Sequence, residues 1–235
     1  MDEMAYEKRI AELERENRIL KQKLLRSEAN RAMLEEMLET HYNTLKVRNA
    51  ELEASRELIR ESEARYKELA HRDVLTGLSN RAFFLEYLVQ GVGRAKSLQT
   101  CVALLYMDLD RFKPINDTLG HEAGDMILGK VAGRLLECVR NKDIVARIGG
   151  DEFAILLEDF QGHSNVKSLG ERIISKLSEP FYISGKSYQI GVSIGISLYP
   201  YDDEDPDGLL QKADQAMYSV KKSCCNNYRF YKDII

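Results

Sequence analysis

The apolar run Val102 to Met107 ends on Asp108-Leu109-Asp110, so two carboxylates arrive where a strand of this composition leaves the core. Charge there is expensive unless a cation or a donor offsets it. Asp110 has an ordinary role available as the N-cap of a following helix, accepting from exposed amides; Asp108 has none. A second acidic cluster stands at Gly149-Gly150-Asp151-Glu152-Phe153, where two glycines permit a tight hairpin with the carboxylates at its tip. Alone, glycine followed by acid describes many solvated turns. Together with Asp108 it describes a magnesium site, since hard cations take oxygen ligands and leave positions for substrate phosphates.

Between the clusters runs Asp110-Arg-Phe-Lys-Pro-Ile-Asn116, then Asp-Thr-Leu-Gly120-His121-Glu-Ala-Gly124-Asp125. The spacing predicts a short helix, a glycine-containing loop and the start of another helix. Backbone amides near Phe112 and Lys113, with the lysine charge beside them, form an anion site of the kind that holds phosphate. Asn116 and Asp125 lie nine residues apart on either side of the turn and are able to converge on a base. The aspartate accepts from guanine N1–H and N2–H, and the amide both donates and accepts. The alternative roles are a helix C-cap for Asn116 and an N-cap for Asp125.

These residues need a scaffold. Glycine first occurs at Gly77, and residues 1 to 70 hold neither glycine nor proline. They read as one helix in a heptad frame, with Ile10, Asn17, Leu24, Arg31, Leu38, Leu45, Leu52, Ile59 and Tyr66 at a, seven of the nine apolar. The d positions begin with Leu13 and Leu20 but turn polar at Ser27, His41, Arg48, Ser55 and Ser62, although Leu34 and Leu69 are apolar, so the seam weakens after residue 40. Asn17 at a favours a two-stranded, in-register parallel coiled coil, because two amides pair across the seam only in that register. We therefore expect residues 1–71 to be a homodimeric stalk about 100 Å long and 72–235 to be a separate domain.

In that domain helices are expected over Asn80 to Ala95, Asp110 to Thr118, Asp125 to Val139, Val166 to Leu177 and Pro206 to Lys222. Strands are expected over Cys101 to Leu109, Ile144 to Ile148, Phe153 to Leu157, Gln189 to Ser197 and Tyr228 to Tyr231, giving an α+β sandwich with Gly149-Gly150 as a hairpin turn.

Composition excludes several classes. In 235 residues, 44% hydrophobic, 34 basic and 38 acidic side chains nearly cancel, so no basic excess argues for a nucleic-acid or membrane partner. No run of about 18 apolar residues and no apolar leader is present, and the chain reads as cytoplasmic. Cys101, Cys138, Cys224 and Cys225 lack C-x-x-C spacing; reduced thiols and no zinc are expected.

Gly149-Gly150-Asp151-Glu152-Phe153 is the signature of GGDEF domains, the diguanylate cyclases, and other segments resemble that family in its own order. They are Asp73-Val-Leu-Thr-Gly-Leu-Ser-Asn-Arg81, Asp108-Leu-Asp-Arg-Phe-Lys113 with Asn116-Asp-Thr-Leu-Gly-His121, and Ala213-Asp-Gln-Ala-Met-Tyr218 followed by Lys221. The resemblance spans residues 72 to 232. It implies a cyclase-like, ferredoxin-like palm, a mostly antiparallel sheet flanked by helices, in which two subunits face each other, each with one GTP, and make cyclic di-GMP and two pyrophosphates. Asp108, the Leu109 carbonyl and Asp151 are implied to hold magnesium or manganese, with Glu152 a further ligand or the residue assisting deprotonation. Lys113 and Lys221 are implied to neutralise the polyphosphate. Asn116 and Asp125, with His121 in the same loop, match the guanine-reading positions, and retention of Asp125 favours GTP over mixed-nucleotide synthesis.

Arg140-Asn-Lys-Asp143 stands at the family's offset for its R-x-x-D inhibitory site, with Arg172 as a second arginine; in isolation it is an ordinary surface ion pair. One departure is visible. Where the family commonly has Lys-x-x-Gly-Arg-Asn, this chain has Lys221-Lys-Ser-Cys224-Cys225-Asn226, so Cys225 replaces the usual phosphate-binding arginine, and slow turnover is expected unless Lys222 or Arg229 compensates. The readings left open are an active cyclase, whose activity stalk register would set in response to an upstream sensor or partner protein, a catalytically weak receptor for GTP or cyclic di-GMP, and a coiled-coil scaffold. A phosphodiesterase has no second domain to support it.

Overall fold

The structure, a computed structural model, describes residues 3–160, 162–183, 185–223 and 225–234; Cys224 and the side chain of Leu69 lie outside the described residues. The chain falls into two units, Met1–Tyr66 and Lys67–Ile235. The first unit consists of helix α1, Glu3–Ala70, whose C-terminal turn belongs to the second. With no helix breaker in its sequence it continues for 68 residues. Its a positions Ile10, Leu24, Leu38, Leu45 and Ile59 are all more than half exposed, an apolar stripe that one chain leaves in water.

The second unit runs α2 (Arg81–Leu98), β1 (Val102–Asp110), α3 (Phe112–Leu119), α4 (His121–Cys138), β2 (Ile144–Gly149), β3 (Glu152–Glu158) and α5 (His163–Ser178). It continues with β4 (Phe181–Ile183), β5 (Lys186–Tyr188), β6 (Gly191–Tyr199), α6 (Pro206–Ser223) and β7 (Asn227–Phe230). Five strands form one sheet in the order β2-β3-β1-β6-β7, antiparallel except for the β6–β7 pair, and β4–β5 is a separate hairpin.

The central strand explains its own composition. Ala103, Leu105, Met107 and Leu109 face a core completed by α4 and α5, while Val102, Leu104 and Tyr106 face one completed by α2 and α6. A strand covered on both faces must be apolar at every position, and all nine residues of β1 are buried. The register then sets Asp108 opposite Glu152 on one side and Ser193 on the other.

Four local expectations are corrected. Asp110 is the last residue of β1 and caps nothing; the N-cap of α3 is Arg111, at φ +59° and without a side-chain hydrogen bond to the first turn. Helix α4 begins at His121 rather than Asp125, because Gly120 at φ +86° turns the chain directly from α3 into α4 while its N–H donates to the Asn116 carbonyl at 2.9 Å. Asn116 and Asp125 therefore lie inside helices and cap neither. Strand β2 includes Gly149, so the hairpin turn is Gly150-Asp151, with Gly150 at φ +52°. The β4–β5 hairpin was not expected, its three-residue strands being too short to show a period.

Candidate active site

Strand β1 and the β2–β3 hairpin carry the acidic groups to one end of the sheet. Asp108 is 7% exposed, and its Oδ2 lies 2.6 Å from the Lys221 ammonium, which descends from the last turn of α6. Burial pushes the Asp108 carboxyl up to about 6; Lys221 opposes the rise, and the charges of Asp151 and Glu152 add to it. Glu152 Oε2 accepts from the Tyr106 hydroxyl at 3.0 Å, and burial, with the Glu152 charge, pushes that phenol well above its ordinary value. Among the described residues no three His, Cys, Asp or Glu side chains are already gathered in a metal-binding group. The donor set is nonetheless that of a hard cation. It consists of hard oxygens with a buried carboxylate whose ionised form lacks sufficient compensation, a condition that a divalent ion relieves.

The hairpin tip is tied at two carbonyls. Leu109 N–H donates to the Asp151 carbonyl at 3.2 Å. Arg147 donates to the Gly150 carbonyl from Nε at 3.0 Å and Nη2 at 2.9 Å, and its Nη1 reaches Asp73 at 3.2 Å. Asp73 lies in the turn after α1. Burial pulls its carboxyl upward, but hydrogen bonds from Thr76 and the Arg147 charge outweigh this and hold it below the usual range. The same turn anchors the end of α1, since Asn80 Nδ2 donates to the Ala70 carbonyl at 2.5 Å, and it bonds to β2 through Ser79.

On the α3–α4 side, Phe112 is buried and Lys113 exposed on the first turn of α3, whose amides receive no side-chain cap. The Asn116 amide packs against Gly124, the neighbour of exposed Asp125, and its nitrogen lies 3.2 Å from His121 Nδ1. The structure thus brings Asn116, His121 and the Asp125 segment together.

Arg140, Asp143 and Arg172 line one cavity of about 470 Å³, apart from the acidic cluster in sequence and lining residues. Asp143 Oδ2 accepts from the Arg140 backbone N–H at 2.9 Å, and the Arg172 guanidinium donates to the Cys138 carbonyl.

Asp110, whose expected capping role is absent, accepts from Ser193 Oγ and from the Asn226 N–H, each at 2.6 Å. It thereby fixes the turn in which Cys225 and Asn226 both have positive φ, 48° and 45°. Neither proposed substitute for the missing arginine is uncommitted. Arg229 donates to Ser219 at 3.2 Å and Ser223 at 3.4 Å, and the Lys222 ammonium stands 4.4 Å from the centre of the Tyr218 ring. Sequence reasoning missed Tyr106, Arg147 and Gly124. For Arg147 the available signal was a basic residue on the strand entering the glycine pair.

No helix among the described residues is long and apolar enough to cross a membrane. The family described as "Diguanylate cyclase, GGDEF domain" matches residues 70–227. The diguanylate cyclase TpbB of Pseudomonas aeruginosa is 39% identical over 180 residues, 76% of this chain and 41% of TpbB. A structure of its GGDEF domain alone superposes with a TM-score of 0.67 at 40% identity, covering 68% of this chain and 94% of that one. The cyclic di-GMP phosphodiesterase NbdA of the same species is 38% identical over 168 residues, 72% of this chain but 21% of NbdA. The coiled coil and GGDEF domain of DgcB from Caulobacter crescentus, solved in complex with c-di-GMP, gives a TM-score of 0.73 at 28% identity, covering 79% of this chain and 98% of that one. This chain spans less than half the length of these curated relatives. With the acid-tipped hairpin set against the end of β1 and a family match that runs from before α2 to the first residue of β7, this chain belongs to the GGDEF family of diguanylate cyclases.

Proposed function

We propose that this chain is an active diguanylate cyclase that works as a parallel homodimer and is inhibited by its product. Two domains face each other, each with one GTP. Each 3′-hydroxyl oxygen bonds to the α-phosphorus of the other nucleotide, the bond from that phosphorus to pyrophosphate breaks, and the hydroxyl proton is released. The observation that carries this reading is the buried Asp108 carboxylate, paired with Lys221 and opposite Glu152 at the base of the acid-tipped hairpin, which its surroundings do not fully compensate.

Cyclases of this family use divalent metal ions. Asp108, Asp151 and the Leu109 carbonyl would hold magnesium or manganese, with Glu152 a further ligand or the acceptor of the hydroxyl proton. When bound, the metal supplies a Lewis acid for the triphosphate. Lys113 and the first-turn amides of α3 bind phosphate, and Lys221 exchanges its pairing with Asp108 for the charge that develops on the leaving group. Asn116 and Asp125 orient guanine, with His121 against the Asn116 amide and Phe112 beneath it.

The exposed a-position stripe of α1 supports dimerisation, since a second parallel copy covers it and raises the local concentration of one domain at the other. Stalk register is the natural input for an upstream sensor or partner protein. In the cavity lined by Arg140, Asp143 and Arg172, the arginines would take a phosphate and the Asp143 carboxylate a guanine edge of cyclic di-GMP. Cys225 favours a second reading, a catalytically weak receptor that retains that cavity.

Incubating the purified chain with GTP and magnesium, beside an Asp151→Ala, Glu152→Ala control, separates the two. Cyclic di-GMP from the parent alone supports the cyclase. No product, with cyclic di-GMP still bound, supports the receptor.

A further inference from the structure

Helix α4 contains three glycines, Gly124, Gly129 and Gly133, and they are not equivalent. Around Gly129 and Gly133 a Cβ would meet nothing within 4 Å, and both are exposed. At Gly124, which is buried, a Cβ would overlap the Asn116 amide oxygen, stand 3.0 Å from the Asn116 Cγ and 3.3 Å from the Phe112 ring. The amide thus occupies the volume that any side chain at 124 requires. Its oxygen is buried there without a hydrogen-bond partner, an arrangement that needs an explanation in a native structure. Glycine inside a helix also weakens the helix relative to alanine. Two unfavourable local choices meet at one contact, and both serve the placement of one carboxamide.

We propose that Gly124 is a positioning residue for guanine recognition, acting through Asn116. The bare backbone at 124 is a seat that fixes the Asn116 amide beside His121, and any side chain evicts it. The inference rests on the reading of Asn116 as a guanine contact.

The test is a double-mutant cycle in this 235-residue chain, with Gly124→Ala, Asn116→Ala and the pair, read by KM and kcat for GTP and by binding of a non-reactive GTP analogue. Gly124→Ala is expected to raise KM and the dissociation constant about ten-fold, the loss of one well-placed hydrogen bond to the base, with kcat nearly unchanged. In the Asn116→Ala background the same substitution is expected to have no effect, because no amide remains to be displaced. Gly129→Ala, in the same helix with open space around it, is the control and leaves both constants as in the parent. A Gly124→Ala effect that persists undiminished without Asn116 would assign the residue to helix packing and overturn the proposal, as would unchanged GTP affinity in Gly124→Ala. A parent that binds no GTP analogue overturns the functional reading together with this one, so failure of the reading is distinguishable from failure of the seat.

Discussion

Replacing Asp108 by asparagine is expected to stabilise the folded domain at neutral pH while abolishing synthesis. In the native state burial raises this carboxyl from 3.8 to about 6, with Asp151 and Glu152 adding to the rise and Lys221 opposing it. An acid with a higher pKa folded than unfolded holds its proton more tightly in the native state. Its contribution to stability is therefore complete below pH 4 and is lost as the pH rises through 6. A separation of about two pH units corresponds to about 3 kcal/mol. Attraction to Lys221 is already included in that figure. The remaining correction is the burial of Lys221 without its partner, which is small because that side chain is 34% exposed. Asparagine does not ionise, so its advantage over the parent is expected to be near zero at pH 4 and about 2 to 3 kcal/mol at pH 7.5.

Urea unfolding in EDTA at pH 4.5, 6 and 7.5 measures this difference, and near-ultraviolet circular dichroism reports the packed domain rather than the helicity of the stalk. A difference that stays constant with pH, or a variant less stable than the parent at pH 7.5, would refute the account of a buried, undercompensated carboxylate. Adding magnesium supplies the complementary measurement, because a ligand that binds only the native state stabilises it. The parent gains stability with the ion and Asp108→Asn does not.

Arg147→Ala removes both bonds to the Gly150 carbonyl and the partner of Asp73, two side chains only 14% and 23% exposed. A loss of about 3 kcal/mol is expected, and it shrinks as the pH falls below the ordinary range of Asp73, whose depressed carboxyl contributes only while ionised; urea titrations at pH 3 and 7 test both. Arg140→Ala with Asp143→Ala is expected to abolish inhibition by added cyclic di-GMP without altering the initial rate, as read from progress curves; unchanged inhibition sinks the product-site reading. Cys225→Arg is expected to raise kcat/KM for GTP about ten-fold by restoring a charge-assisted phosphate contact, whereas Cys225→Ser leaves it unchanged. Cysteine pairs that lock the stalk in alternative registers are expected to give different rates of synthesis, and equal rates exclude register control.

The sequence exposes what is local or what breaks a local pattern. Val102 to Met107 followed by Asp108 is legible because charge contradicts the run before it, and in the structure that carboxylate pairs with Lys221 at a position opposite Glu152. The long α1 is legible because nothing in it stops a helix. The start of α4 is not, since its boundary depends on the backbone angle of Gly120 rather than on a capping side chain.

Pairs that close over long separations are hidden for a different reason. Asp110 looks like a helix cap because its true partners, Ser193 and Asn226, lie 83 and 116 residues away. Arg147 looks like an ordinary strand residue because Asp73 is 74 positions earlier. Both hidden pairs hold the frame around the acidic cluster, Asp110 at the turn carrying Cys225 and Arg147 at the tip carrying Asp151. Cys225 therefore sits on a turn that Asp110 still fixes, so restoring arginine tests the charge at that position on a backbone already held in place.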